Sequence, residues 1–83
     1  MTNQQIRTAL LEALAEVAPD ADLARLGDDD EFREKLDIDS MDHLNFVIAV
    51  SLKTGIDVPE KDYGKMRTLR GAVEYLERKA GAG

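Results

Sequence analysis

The chain has 83 residues, a formal net charge of −6 and no cysteine. This length suffices for one small domain, and without cysteine there is neither a disulfide framework nor a thiolate metal site. The negative charge disfavours binding to nucleic acid or to an anionic membrane surface. We expect a cytoplasmic protein without a membrane span, because no signal peptide is apparent and the longest apolar run, Phe46 to Val50, is too short to cross a bilayer.

The acidic side chains are concentrated in one segment. Ten acidic and three basic residues lie between Asp20 and Asp42, so this segment alone has a net charge of −7. Such a field attracts basic surfaces on protein partners. The acidic run lacks the glycine and the terminal Glu of an EF-hand loop, so we predict no dedicated metal site.

The first predicted helix begins after Thr2. Thr2 and Gln5 have the spacing of a capping box, and Pro19 ends the helix. Between them, apolar side chains recur at helical spacing. These side chains are Ile6, Ala9, Leu10, Ala13, Leu14 and Val17.

An irregular acidic segment from Asp20 to Asp39 follows. Its apolar residues are widely spaced, which predicts a long loop pinned across the other helices rather than a disordered linker. Within it, Leu23 to Leu26 is predicted to form a single helical turn. The apolar anchors are Leu23, Leu26, Phe32, Leu36 and Ile38.

Three further helices are predicted after this loop. The second runs from an Asp39 N-cap to Gly55, which occupies the usual place of a C′ glycine. The third begins with Pro59 and is short because Gly64 weakens it, so we expect it to be the most mobile wall of the bundle. The last begins after Thr68 as N-cap. Its apolar side is predicted to consist of Leu69, Ala72, Val73, Leu76 and Ala80.

No segment shows the alternation of apolar and polar residues that is typical of a strand. We therefore predict an all-α fold, a small four-helix bundle with three longer helices and one short helix, and a long loop between the first and second helices. Residues 1–80 are assigned to a single domain, and residues 81–83 to a flexible C-terminal tail. The expected core consists of Leu10, Leu14, Phe46, Val47, Val50, Val73 and Leu76.

The second predicted helix is apolar on two nearly opposite sides. One side carries His43, Phe46, Val47 and Val50. The other side carries Met41, Leu44, Ile48 and Leu52. A peripheral helix needs only one apolar stripe, so this helix is either central and buried on all sides or keeps one stripe for a partner. Because so short a chain has little material to cover both stripes, we favour the contact with a partner.

An ordered set of short motifs extends along the chain. It includes an Asp-Ser-Met triplet at a helix start, a Gly-Ile-Asp-Val-Pro turn and a last helix opened by Thr. The segments are Leu36–Asp42, then Leu44, Phe46 and Val47, then Gly55–Pro59, Thr68–Leu69 and Ala72–Leu76. Together they resemble the acyl carrier protein family over essentially the whole chain, with Phe32 as the family's aromatic loop anchor.

The resemblance implies a non-enzymatic, monomeric carrier. In that family the serine hydroxyl receives 4′-phosphopantetheine from coenzyme A, which implies that Ser40 holds this arm. Asp39 and Met41 would be recognised by the phosphopantetheinyl transferase. The implied contacts to acyl-loading and acyl-transferring enzymes are Asp42, Leu44, Ile48 and Leu52. The implied cargo is an acyl thioester in fatty acid, lipid or related biosynthesis.

Two departures from the family are notable. Asp37 stands where the family usually has Gly, which could change the approach of the loop. The outward stripe is more apolar and less acidic than in housekeeping members, which indicates a specialised carrier with its own partners.

His43 follows Ser40 by three residues, but nothing in the sequence supplies an orienting group or an oxyanion hole. We therefore predict no catalytic residue and expect His43 to pack inward.

Two alternatives stay open at this point. The chain could be a peptidyl or polyketide carrier, with the same arm and a different cargo. It could also be an acidic helical adaptor that has no prosthetic group. The adaptor would explain the charge and the two apolar stripes, although it would not explain the ordered motifs.

Overall fold

The computed structural model describes residues 1–82, and its regular elements are all helical. In chain order the elements are α1 (Asn3–Val17), a 3₁₀ turn (Leu23–Arg25), α2 (Phe32–Lys35), α3 (Ser40–Thr54), a 3₁₀-helix (Glu60–Met66) and α4 (Leu69–Ala82). No strand is present in the described part of the chain. The predicted all-α architecture is thus confirmed, with α2 as one short helix more than expected. Among residues 1–82, no helix combines the length and apolar character needed to cross a bilayer.

Helix α1 begins and ends where its sequence indicates. The Gln5 N–H donates to Thr2 Oγ1 at 3.1 Å, and the Thr2 N–H donates to Gln5 Oε1 at 2.8 Å, which completes the predicted capping box. The helix ends at Val17, two residues before Pro19. Its buried face packs against α3 and α4.

The segment between α1 and α3 is more ordered than predicted. The expected turn at Leu23 is present as the 3₁₀ turn, but the expectation of irregular chain was wrong for Phe32–Lys35, which form α2. Tertiary contacts stabilise this helix, because Phe32 is fully buried and its N–H donates to the carbonyl of Arg67 at 2.9 Å. The Phe32 ring meets the Phe46 ring edge-on, with centroids 5.1 Å apart.

Three ion pairs also hold this segment against the rest of the protein. They join Arg7 to Asp28 at 2.9 Å, Arg70 to Asp29 at 2.6 Å, and Arg67 to Glu31. Arg70 holds the pKa of Asp29 below its usual value, first by its hydrogen bond and then by its charge. Three of the four carboxylates between Asp28 and Glu31 are therefore paired with basic residues of this same chain.

The short third helix differs in detail from its prediction. It is a 3₁₀-helix of seven residues, and Pro59 is its N-cap rather than its first helical residue. Asp62 on this helix accepts a hydrogen bond of 2.6 Å from the Tyr75 hydroxyl of α4. Burial, reinforced by the Asp62 carboxylate, raises the pKa of Tyr75 to about 12. This contact anchors the 3₁₀-helix to α4.

The start of α4 matches its prediction, and its end does not. The Gly71 N–H donates to Thr68 Oγ1 at 3.0 Å, as expected of a Thr N-cap. Ala80 is exposed, whereas it was predicted to lie on the buried side. Asn3, the first residue of α1, bonds to Glu77, so Ala80 lies beyond the part of α4 that α1 covers. Helix α4 continues to Ala82, inside the segment expected to be a tail, and Gly83 lies outside the described residues.

The core lies between α1, α3 and α4. All seven residues expected there are buried. Met66 and Tyr75 are also buried, although they were not among the expected core residues. The core is therefore larger than the helical patterns alone indicated.

Candidate functional site

Ser40 is the first residue of α3, and a reciprocal cap fixes its position. The Asp42 N–H donates to Asp39 Oδ1 at 2.9 Å, and Asp42 Oδ2 accepts from the Asp39 N–H at 3.4 Å. The Asp39 carbonyl accepts the first helical bond, from His43, at 3.0 Å. Asp39 is thus the N-cap, as predicted, and Asp42 contributes to the same cap.

The Ser40 side chain is exposed. Within residues 1–82, the N–H groups of Ser40 and Met41 donate no hydrogen bond to the protein. Free N–H groups and the positive end of the helix dipole favour a phosphate at such a position. The accessible hydroxyl and these two donors therefore fit a phosphodiester on Ser40, even though neighbouring carboxylates oppose its charge.

The turn before Ser40 is a helix C-terminus with a left-handed residue. Asp37 has φ = +53° and follows Leu36, the C-cap of α2. The Ile38 N–H donates to the Arg33 carbonyl at 3.2 Å. This is the hydrogen bond between residues five positions apart that is typical of a Schellman motif. Asp37 thus adopts the conformation that glycine usually supplies there. Asp tolerates it better than most residues.

His43 points inward, as expected. Its side chain is one turn from Ser40, and the residue is only 9% exposed. Its Nε2 lies 2.9 Å from the Met66 carbonyl oxygen, so the protonated nitrogen donates to that carbonyl. The sequence did not indicate this partner, because a main-chain carbonyl has no signature in the residue type.

The apolar stripe that was predicted to face outward does so. Met41 is 62% exposed, Ile48 47% and Leu52 82%, while Leu44 is half-buried. The opposite side of α3 carries the buried Phe46. Large apolar side chains exposed together on one helix are typical of a surface that contacts a partner.

The acidic residues near Ser40 differ from Asp28, Asp29 and Glu31, which are paired with arginines. Within residues 1–82, Asp37, Asp39 and Asp42 form no ion pair with a basic side chain. The negative charge of these three carboxylates is therefore not offset by an ion pair within the described residues. No group of three possible metal ligands comes together in this part of the structure or elsewhere in the described residues.

Both a family model and several known proteins match nearly the whole chain. A family model described as "Phosphopantetheine attachment site" matches residues 5–76. The chain is 28% identical over 78 residues to the acyl carrier proteins of Rickettsia typhi and Rickettsia prowazekii, and 27% identical to that of Rickettsia canadensis. Each alignment covers 94% of this chain and 90% of the relative.

Proposed function

The chain belongs to the phosphopantetheine attachment site family, and on that premise we propose that Ser40 is the residue that carries the 4′-phosphopantetheine group. The family consists of carrier proteins, so the chain is a phosphopantetheine-bearing carrier and not an enzyme. When attached, the group supplies a terminal thiol that holds the cargo as a thioester. The observation that carries the assignment is an exposed Ser40 hydroxyl at the start of α3, beside two free N–H groups.

Two serines of the chain are candidates for the attachment of the phosphopantetheine group. The sequence contains two serines, Ser40 and Ser51, and both lie on α3. Ser51 is half-buried in the last turns of the helix, whereas Ser40 is exposed at the first turn. The position at a helix N-terminus supports Ser40, because a phosphate is disfavoured near the negative end of the helix dipole.

The residues around Ser40 have separate roles in this proposal. Asp39 holds the start of α3 in place and presents a carboxylate edge to the phosphopantetheinyl transferase. Met41 offers an exposed apolar contact on the other side of Ser40. Asp42 stabilises the cap and adds charge beside it.

The cargo proposed for the thiol is an acyl intermediate of fatty acid, lipid or related biosynthesis. The relatives named acyl carrier protein support this class. Acyl-loading and acyl-transferring enzymes would dock on Leu44, Ile48 and Leu52, with Asp42 at the edge of the contact. Since this face is strongly apolar, we propose a specialised carrier that a generic fatty-acid ketosynthase uses less readily than its own carrier.

Intact mass after incubation with coenzyme A and a broad-specificity phosphopantetheinyl transferase tests the attachment site. We expect the native chain and Ser51→Ala to gain one phosphopantetheine, and Ser40→Ala to gain none. A gain in Ser40→Ala would assign the arm elsewhere. No gain in the native chain, with an active control carrier in the same tube and with the transferases of its own organism, would favour the adaptor without a prosthetic group.

Loading with different substrates tests the cargo. Acyl-activating enzymes should load the phosphopantetheine form, whereas amino-acid-activating and polyketide-extending enzymes should not. The reverse preference would identify a peptidyl or polyketide carrier with the same attachment site.

A further inference from the structure

His43 joins α3 to the 3₁₀-helix directly behind the attachment position. Residues three apart on a helix are neighbours, so the imidazole lies next to Ser40 on the inner side of α3. Its Nε2–H donates to the Met66 carbonyl at 2.9 Å, and both residues are buried. The bond therefore joins the first turn of α3 to the last residue of the 3₁₀-helix.

The space behind this bond is occupied by aromatic rings. The His43 ring lies 5.9 Å from the Phe46 ring, and Phe46 in turn lies 5.1 Å from Phe32. Phe32, Phe46 and Met66 have no exposed surface. An acyl chain that entered beside Ser40 would have to displace the imidazole and leave the Met66 carbonyl without a donor in an apolar environment, which is unfavourable.

The surface on the Ile38 side of Ser40 has the opposite character. A cleft next to Ile38, two residues before Ser40, is lined largely by charged side chains. Its lining consists of Glu31, Arg33, Glu34, Ile38 and Arg67. Cargo that lies outside the bundle on this side of Ser40 thus meets charged and polar groups rather than an apolar pocket.

We propose that His43 is a specificity-determining residue that keeps acyl cargo outside the bundle, so that this carrier holds short or polar acyl groups rather than long aliphatic ones. The inference rests on the proposed function, because it requires an acylated arm on Ser40. It assigns to His43 a role in cargo selection in addition to its place in the core. Its signature is the response of stability to acyl chain length.

The test compares acetyl and octanoyl forms of the native protein, His43→Ala and His43→Gln. The transferase loads each chain from the corresponding acyl-coenzyme A, intact mass verifies a single load, and thermal unfolding gives the Tm. In His43→Ala the octanoyl form should melt about 4 °C or more above the acetyl form, because the alkyl chain can now be buried. In the native protein and in His43→Gln, whose amide can still donate to Met66, the acetyl and octanoyl forms should have the same Tm.

Amide NMR spectra identify where the alkyl chain lies. We expect the octanoyl group to shift the Phe46 and Val47 amides in His43→Ala and to leave them unchanged in the native protein. A chain-length-dependent rise of Tm in the native protein, or its absence in His43→Ala, would overturn the inference. If His43→Ala does not fold, the native pair can still overturn the inference, because a higher Tm of the octanoyl form would show that the native bundle admits the alkyl chain. Failure to load any chain would overturn the proposed function instead, and this inference with it.

Discussion

The Ile38 N–H donates to the Arg33 carbonyl at 3.2 Å, and this bond encloses Asp37 in a left-handed conformation with φ = +53°. The bond ends α2 and turns the chain toward Ser40, two residues further on. Left-handed backbone is unfavourable for residues with a Cβ atom and is least so for glycine. The turn that precedes the proposed attachment position therefore contains local strain.

Asp37→Gly should relieve that strain. Glycine removes the clash of Cβ, although it also increases the entropy of the unfolded chain, so we expect the free energy of unfolding to rise by about 0.5 kcal/mol. Urea denaturation of the two proteins measures the change. The control is Asp20→Gly, at an exposed position without positive φ, which should not be stabilising. A loss of stability in Asp37→Gly equal to that in the control would show that glycine relieves no strain at this turn, and a larger loss would show that the Asp37 side chain stabilises it.

The helix ends were predictable because their signals are local. Thr2, Asp39 and Thr68 act as N-caps, and Gly55 has φ = +71° at the end of α3. Each signal involves residues no more than four positions apart, so the sequence contains all of the interacting partners. The exposure of Ser40 followed from the same local reasoning.

The features that were missed depend on residues far apart in the chain. Helix α2 has only four residues, and Glu31 before it makes no side-chain cap, so little in its local sequence indicates a helix. It forms because Phe32 is buried and bonds to Arg67, 35 positions away. The partner of His43 is likewise a carbonyl 23 positions away. Such pairings arise from the tertiary fold, and periodicity does not reveal them.

The hydroxyl of Tyr75 gives the protein a specific response to alkaline pH. Its pKa is about 12 in the folded protein, against 10.0 as its ordinary value. Between these two pH values the unfolded chain has lost this proton and the folded chain has kept it, so the free energy of unfolding falls as the pH rises. Tyr75→Phe has no such hydroxyl and should lack this pH dependence. The difference in the free energy of unfolding between the native protein and Tyr75→Phe should therefore decrease from about pH 10 to about pH 12. Urea denaturation across this range measures it, and a constant difference would contradict the assignment.

Leu52 offers a test of the outward face of α3. It is 82% exposed, so Leu52→Glu should fold normally and should still accept phosphopantetheine at Ser40. Burying a leucine in an interface stabilises the complex by about 1.5–3 kcal/mol, so we expect kcat/KM to fall about tenfold or more with an acyl-transferring enzyme that accepts the loaded native protein. Ala24→Glu makes the same change of charge at another exposed site. An equal loss in both variants would indicate a general effect of charge rather than docking at Leu52.

The 3₁₀-helix is expected to be the part of the bundle that opens most easily, since runs of this helix longer than four residues are uncommon. Hydrogen exchange should therefore be faster for the amides of residues 61–65 than for those in the middle of α1 and α3, and slower exchange there would contradict this expectation.

Gly64 and Gly71 allow that expectation to be tested by two opposite substitutions. A Cβ atom at Gly64 would meet nothing within 4 Å, so Gly64→Ala should raise the free energy of unfolding by about 0.5–1 kcal/mol and slow exchange in the 3₁₀-helix. A Cβ atom at Gly71 would lie 3.1 Å from Thr68 Oγ1 and 3.2 Å from the Lys65 carbonyl oxygen. Gly71→Ala should therefore push α4 away from the end of the 3₁₀-helix, lower the stability and speed exchange. If both substitutions stabilise the protein, the close approach at Gly71 does not hold the 3₁₀-helix in place, which leaves the Tyr75–Asp62 and His43–Met66 hydrogen bonds and the burial of Met66 to do so.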